Sequence, residues 1–382
     1  MKLRHDTLPV QSDHDNAVRF QAIDLDRAPE VEALLHRLDL GRFDRETVTG
    51  PVGRNDAWAG HTDAGHAVFV KRLVGARDDV RARLRRALSY ERLAAASGGV
   101  LCSPRLLGAD PENALLAFDY QAGARIGRDL VVAERFGPEL SRSAGRALGL
   151  LHSAPVESGH DLDRSVPHLP SLRPFEGLPP AMFDASSSAA LEAWRLLQND
   201  PRLRDAVAAL LHAEELAPRT PAHCDLRVDQ FLIDEGSRDR LSVTDWEEFR
   251  LADPARDVGA FAGEWLHRSI LDIVTSRGDA EFVDVTLTRE RVLSRGVEKL
   301  TRLRPNIEAF CAGYRQARPE TDPGLAERAA GFAGWHMLDR LIAGASQRPR
   351  LLPVERAAAG VGRTALLDPA QFITVLGLGG LR

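Results

Sequence analysis

His223-Cys224-Asp225-Leu226-Arg227-Val228-Asp229-Gln230 is followed, fifteen residues beyond its last position, by Asp245-Trp246-Glu247. Between them lie two apolar runs, Phe231-Leu232-Ile233-Asp234 and Leu241 to Val243, parted by the polar stretch Glu235-Gly236-Ser237-Arg238-Asp239. Two strand-like runs around a glycine-containing turn predict a hairpin. Its ends bring Asp225, Gln230 and Asp245 to one end of the same ribbon. Phosphoryl transfer from ATP needs such a set. One carboxylate must stand beside the acceptor hydroxyl, while a second carboxylate and an amide oxygen hold Mg²⁺ on the phosphates. Singly these residues are ordinary, because an Asp after an apolar strand is common turn chemistry. The ordered set carries the reading.

The remaining composition is compatible with it. At 382 residues the chain is long enough for two lobes, and its 44% hydrophobic and 27% charged content is that of a globular protein. A net charge of −5 argues against a partner held through nucleic-acid phosphates. Cys102, Cys224 and Cys311 are scattered and lack zinc-ligand spacing, which predicts reduced thiols and a cytoplasmic location. No apolar run approaches the roughly 20 residues that span a bilayer, and the charged N-terminus does not resemble a signal peptide. Of 50 Lys plus Arg residues only Lys2, Lys71 and Lys299 are lysine. A lysine kept inside a strand of so arginine-rich a chain marks a place that a guanidinium cannot fill.

Taken in order, residues 1–45 form a polar, acidic lead-in with one helical stretch, Val31 to Leu38. From 46 to 121 the pattern is that of a small antiparallel lobe. A glycine-containing turn, Gly53-Arg54-Asn55, could lay backbone N–H groups over phosphates. A hairpin turning at Asp63-Ala64-Gly65 ends in Val68-Phe69-Val70-Lys71, where Lys71 stands as the phosphate-binding lysine does in Val-Ala-Ile-Lys strands. Arg77 to Ser97 has helical spacing with Val80, Leu84 and Leu88 inward. Glu91, the only acid of its second half, is placed to orient Lys71. The alternatives are a solvated edge lysine and a surface Glu–Arg pair. Two strands follow, from Ser103 and from Ala114, and Asp119-Tyr120-Gln121 stands where adenine would meet backbone. Residues 122–382 form a larger helical lobe. Within it, 156–222 is an insertion, Pro-rich at first and helical from Ala189 to His212 with a break before Pro201. Its ten acids against six arginines would suit a cationic acceptor, or make an ordinary solvated surface. His152, Phe332 and Trp335 read as structural.

His223-x-Asp225-x₄-Gln230 with Asp245-Trp246-Glu247, and Asp253-Pro254-Ala255-Arg256-Asp257-Val258 downstream, resemble the catalytic, metal and buttressing segments of the aminoglycoside phosphotransferase-like kinases. The resemblance implies an α+β, bilobal protein-kinase-like fold and Mg-ATP-dependent phosphorylation of an alcohol. It makes Asp225 the group that orients the acceptor proton, Lys71 and Arg227 phosphate contacts, and Glu91 the holder of Lys71. Gln230 and Asp245 become Mg²⁺ ligands, with His223 and Asp257 as braces. One departure is Gln230, where the family usually has Asn. Gly53-Arg54-Asn55-Asp56 and Asp245-Trp246-Glu247-Glu248-Phe249 are similar to the branch encoded with class V lanthipeptides and thioamitides. That likeness implies Ser/Thr phosphorylation of a precursor peptide, with a lyase as a further partner. The competing readings are a small-molecule kinase, a pseudokinase suggested by Gln230, and a metal hydrolase on His223 and Asp225. His212 and His267 lack the spacing the last would need.

Overall fold

The computed structural model describes residues 20–382, except 23, 52, 157–160, 235, 237–239, 278, 280–288, 321 and 347. Most of the polar turn expected between Asp234 and Arg240 therefore lies outside the described residues. The chain divides into two compact units, Met1–Leu84 with Pro104–Arg135, and Arg85–Ser103 with Phe136–Arg382.

The first unit holds β1 (Phe20–Ala22), α1 (Pro29–Arg37), β2 (Thr49–Pro51), β3 (Asp56–His61) and β4 (Ala67–Arg72). It takes the first turns of α2 (Arg77–Ala96), then β5 (Leu106–Asp110), β6 (Leu115–Asp119), β7 (Arg125–Ile126) and α3 (Gly127–Val132). Six strands form one antiparallel sheet in the order β1-β2-β3-β4-β6-β5. The expected Asp63-Ala64-Gly65 turn closes β3 onto β4. Gly65 takes a φ of 82°, which a glycine adopts without steric cost, and its N–H bonds the Thr62 carbonyl at 2.9 Å. Along β4, Val68 and Val70 are buried on one face while Phe69 and Lys71 lie on the other, as period-two alternation requires. The lead-in is part of this unit's core. Val31, Leu34 and Leu35 recur at helical spacing on α1 and cluster with Trp58, Val68, Val70 and Leu115. Their charged neighbours made the segment look peripheral.

The second unit takes the rest of α2, then α4 (Pro138–His152), α5 (Arg173–Glu176), α6 (Pro180–Asp184), α7 (Ser188–Gln198) and α8 (Pro201–Glu215). β8 (Thr220–Ala222), β9 (Phe231–Asp234), β10 (Arg240–Val243) and β11 (Arg250–Ala252) follow. The chain closes with α9 (Ala255–Leu271), α10 (Arg289–Ala317), α11 (Leu325–Ser346), α12 (Pro353–Leu367) and α13 (Pro369–Leu376). The break between α7 and α8 falls before Pro201, where Asp200 caps α8 by accepting the Leu203 N–H at 3.1 Å. α11 packs along α9, with Phe332 and Trp335 buried as core. α4 and α10 cross so closely that a Cβ on Gly145 would fall 2.0 Å from the Phe310 carbonyl oxygen. One on Gly313 would fall equally near, 2.0 Å from that of Arg142. A small antiparallel sheet and a larger helical part make the chain α+β, as the motif implied.

Candidate active site

β8 pairs with β11, and β9 pairs with β10, with Phe231 opposite Val243. The loop from His223 to Gln230 therefore leaves the β8–β11 pair and enters the β9–β10 pair. At its far end the Gln230 carbonyl accepts both the N–H of Thr244 at 2.9 Å and its hydroxyl at 3.1 Å. Asp245 thus emerges beside the end of the loop that began at His223.

The loop is held from its inner side. Cys224 has a φ of 68°, a strained value for a residue with a side chain. In that conformation the backbone N–H groups of His223 and Cys224 both donate to the Asp257 carboxylate, at 2.7 and 2.8 Å. His152 Nε2–H makes a third bond to it at 3.0 Å, and the His152 Nδ1 accepts the Tyr314 hydroxyl at 2.8 Å. Burial alone would raise the Asp257 carboxyl, but the His152 bond and charge and the backbone donor outweigh it and hold it below the usual range. Burial pushes His152 down against the pull of Asp257. His223 is fully buried, donates Nε2–H to the Thr244 carbonyl at 2.9 Å, and leaves Nδ1 turned to the Asp225 N–H. Burial drives the Cys224 thiol well up, so it is no nucleophile.

Asp225 projects from this braced loop with its side chain 43% exposed. Its carboxyl is raised by desolvation, with Arg227 and His223 opposing and the charges of Asp245 and Asp339 adding. A raised carboxyl is a better proton acceptor, as a general base requires. Arg227 bridges two acids, Nη1 to Asp225 at 3.4 Å and Nε to Asp229 at 3.1 Å. The Arg227 N–H donates to the Gln230 Oε1 at 2.8 Å, which leaves that oxygen one lone pair. The Gln230 Nε2 is buried without a partner. Asp245 sits in the left-handed region, φ 71° and ψ 51°.

This donor set fits Mg²⁺. Asp245 and Gln230 offer hard oxygens from the two adjacent ends of one ribbon, and Mg²⁺ takes one or two carboxylates with phosphate oxygens supplying the rest. The orphaned Gln230 amide is a donor that a phosphate oxygen would satisfy. Among the described residues, no three His, Cys, Asp or Glu side chains group so as to hold a metal alone.

Sequence reasoning missed what supports Asp245. The buried face of α2 carries Arg83, Leu84, Arg86, Ala87, Tyr90 and Leu93 rather than Val80 and Leu88, which stay partly exposed. Arginines occupy core positions because their forks are filled. Arg86 donates to the Glu247 carbonyl at 2.7 Å and to Glu248 at 3.0 Å. Tyr90 stacks on Trp246. A buried periodicity that includes Arg was the available signal. Glu91 lies at the edge of this face, pushed up to about 7 by burial.

A second group of charges was also missed. Glu264 and His267 on α9 meet His336, Asp339 and Arg340 on α11. Burial alone would raise Glu264, yet His336, Arg340 and His267 hold it at about 2. Burial lowers His267 to about 4. The Asp339 charge acts on Asp225, which puts this cluster next to the catalytic loop.

In the first unit, Lys71 faces Ala57 on β3 and Leu116 on β6. β4 is an interior strand, so Lys71 is not an edge lysine. Asn55 pins the turn before β3, its Oδ1 accepting the Val74 N–H at 3.1 Å and Arg83 at 3.2 Å. Arg54 pairs with Asp79 at 3.0 Å. A Cβ at Gly53 would meet nothing within 4 Å, so no close approach requires that glycine here. At Asp119-Tyr120-Gln121, two backbone donors are already engaged. The Asp119 N–H is bonded to the Arg105 carbonyl at 2.9 Å and the Tyr120 N–H to that of Ala67 at 3.1 Å. Sheet pairing uses both donors, which leaves the Gln121 N–H for a base.

The model of the phosphotransferase enzyme family matches residues 52–298. Among solved structures, the chain is similar to the choline kinase LicA of Streptococcus pneumoniae, at 14% identity and a TM-score of 0.50 over 90% of this chain and 99% of that one. It is also similar to a choline/ethanolamine kinase family protein of Mesorhizobium loti, at 19% identity and a TM-score of 0.48 over 93% and 99%. No curated protein matches.

Proposed function

The chain belongs to the phosphotransferase enzyme family, and we propose that its acceptor is a Ser or Thr hydroxyl of a ribosomally made precursor peptide. It is a kinase acting on an alcohol. The observation that carries the chemistry is the ribbon end where Asp225, Gln230 and Asp245 converge, bound through the Gln230 carbonyl and Thr244.

In this reading Asp225 orients and takes the hydroxyl proton, and its raised carboxyl suits that task. Gln230 and Asp245 hold Mg²⁺, which neutralises charge on the transferring phosphoryl group when bound. Lys71 contacts the α- and β-phosphates, and the Gly53-Arg54-Asn55 turn covers them. The Gln121 N–H meets the base. Arg227, fixed between Asp225 and Asp229, keeps further N–H groups for the γ-phosphate. His223 and Asp257 fix the loop. Residues 46–121 serve as the nucleotide lobe, braced by α1, and 122–382 as the catalytic and acceptor lobe.

The peptide assignment is supported by the similarity of residues 53–56, 223–230 and 245–249 to the lanthipeptide-associated branch. A lyase would then remove the phosphate. Three free cysteines favour a reducing, cytoplasmic setting. No described helix is long and apolar enough to cross a membrane. A second reading, a small cationic acceptor, draws support from the Asp339 charge acting on Asp225. A third, a nucleotide-binding pseudokinase, draws on the Gln230 oxygen already engaged by Arg227. Incubation with Mg-ATP and either peptides encoded nearby or amino alcohols, followed by mass spectrometry, separates them. A phosphopeptide supports the first, an O-phosphorylated amino alcohol the second, and nucleotide binding without any product the third.

A further inference from the structure

We infer that Arg86 is a positioning residue for the metal, setting the Asp245 loop through Glu247 and Glu248 without being a ligand itself. Arg86 is 3% exposed, and a buried guanidinium is tolerated only where its donors are filled. They are filled by three acceptors from two segments at once. Nε–H donates to the Glu247 carbonyl at 2.7 Å, Nη2 to Glu248 Oε1 at 3.0 Å and Nη1 to Asp163 Oδ2 at 3.4 Å. Glu247 and Glu248 belong to the single 3-10 turn that follows Asp245. Asp245 itself is left-handed, a backbone state that a residue with a side chain keeps only where its surroundings impose it.

Helix α2 supplies those surroundings twice within one turn of helix. Arg86 holds the carbonyl and carboxylate two and three residues past Asp245, and Tyr90 lies flat on the Trp246 ring between them. Asp163 draws in the start of the insertion, where its carbonyl accepts the Leu251 N–H at 2.8 Å. Arg250 seals the same place by donating to Glu248 and, at 3.1 Å, to the Ser165 hydroxyl. The direction of the Asp245 carboxylate is therefore fixed by α2. A lysine cannot reproduce the contact, since one ammonium does not span three acceptors lying around a planar fork.

The inference rests on the reading of Asp245 as a Mg²⁺ ligand. Thermal melting of the full chain at fixed ATP, with Mg²⁺ titrated, tests it. Arg86→Lys is expected to raise the half-saturating Mg²⁺ by about 10–100-fold, the usual effect of losing an outer partner of a metal ligand. Its melting shift with ATP alone should equal that of the wild type. Glu248→Gln should move the titration the same way by less. A folded Arg86→Lys with the wild-type Mg²⁺ titration overturns the inference. Should Arg86→Lys fail to fold, Glu248→Gln decides, and an unchanged titration in it overturns the inference too. A wild type with no Mg²⁺-dependent shift overturns the metal reading itself, and with it this inference.

Discussion

Tyr90 and Trp246 stack face to face, ring centroids 3.6 Å apart and planes 6° from parallel. Trp246 also meets His223, whose ring lies 4.7 Å away. Helix α2, the turn after Asp245 and the loop before Asp225 are thus joined by three rings in series.

Truncating that series should be costly. Tyr90→Ala is expected to destabilise by about 3–5 kcal/mol, as for other buried aromatics. Tyr90→Leu, which keeps most of the volume, should lose the stacking part, roughly 0.5–1.5 kcal/mol. Urea unfolding measures both. An unchanged midpoint for Tyr90→Leu would mean that the stack holds nothing together.

Asp257→Ala strands two buried N–H groups and His152, and should cost about 3–5 kcal/mol, the range for breaking a buried charged pair. Acid provides a gentler probe. The Asp257 carboxyl lies below its unfolded value, so its contribution is complete above the ordinary carboxylate range and is lost as pH falls through the folded value. Melting temperatures of the wild type and Asp257→Asn should therefore converge as pH drops. A constant gap would remove Asp257 from the acid-sensitive groups.

Glu91 titrates with the opposite sign. Its carboxyl rises from 4.5 to about 7 because burial disfavours the charge. The unfolded chain then releases that proton first, and stability falls as pH climbs from about 4.5 to about 7. Glu91→Gln should melt higher than the wild type at about pH 8 and equal to it near pH 4, below the window. A lower melting temperature for the variant at the alkaline end, with Mg-ATP bound, would instead give Glu91 a cation to hold.

Asp225→Asn should leave ATP affinity nearly intact and lower turnover by about 10²–10⁴, the usual loss for a positioned base. Gln230→Ala should raise the Mg²⁺ needed for half-maximal activity, and Gln230→Asn should be partly tolerated. Steady-state kinetics against acceptor and Mg²⁺ separate these effects. Wild-type rates in both Asp225→Asn and Gln230→Ala would overturn the roles given to Asp225 and Gln230.

The fold was readable because one motif fixes so much geometry. Hydrophobic runs on both sides of a turn force the β9–β10 ribbon, and with it the meeting of Gln230 and Asp245. The three acceptors of Arg86 were not readable. A search for apolar periodicity assigns an arginine to the solvent, while in this chain a filled guanidinium fork takes a core position. Glu91 stands out as a lone acid on a helix, but its burial depends on neighbours distant in sequence. Adenine contacts at Asp119 and Tyr120 were inferred from order along the chain, which does not say which N–H groups the sheet has already used.

The crossing of α4 and α10 has a consequence for genetics. His152 ends α4, and Tyr314 follows Gly313 on α10. These two side chains line up behind Asp257. Any Cβ added at Gly145 or Gly313 must push the helices apart, and the His152–Tyr314 pair would carry that displacement to the backbone before Asp225. A screen for heat-sensitive loss-of-function alleles should return these two glycines, although neither lies near a reacting atom.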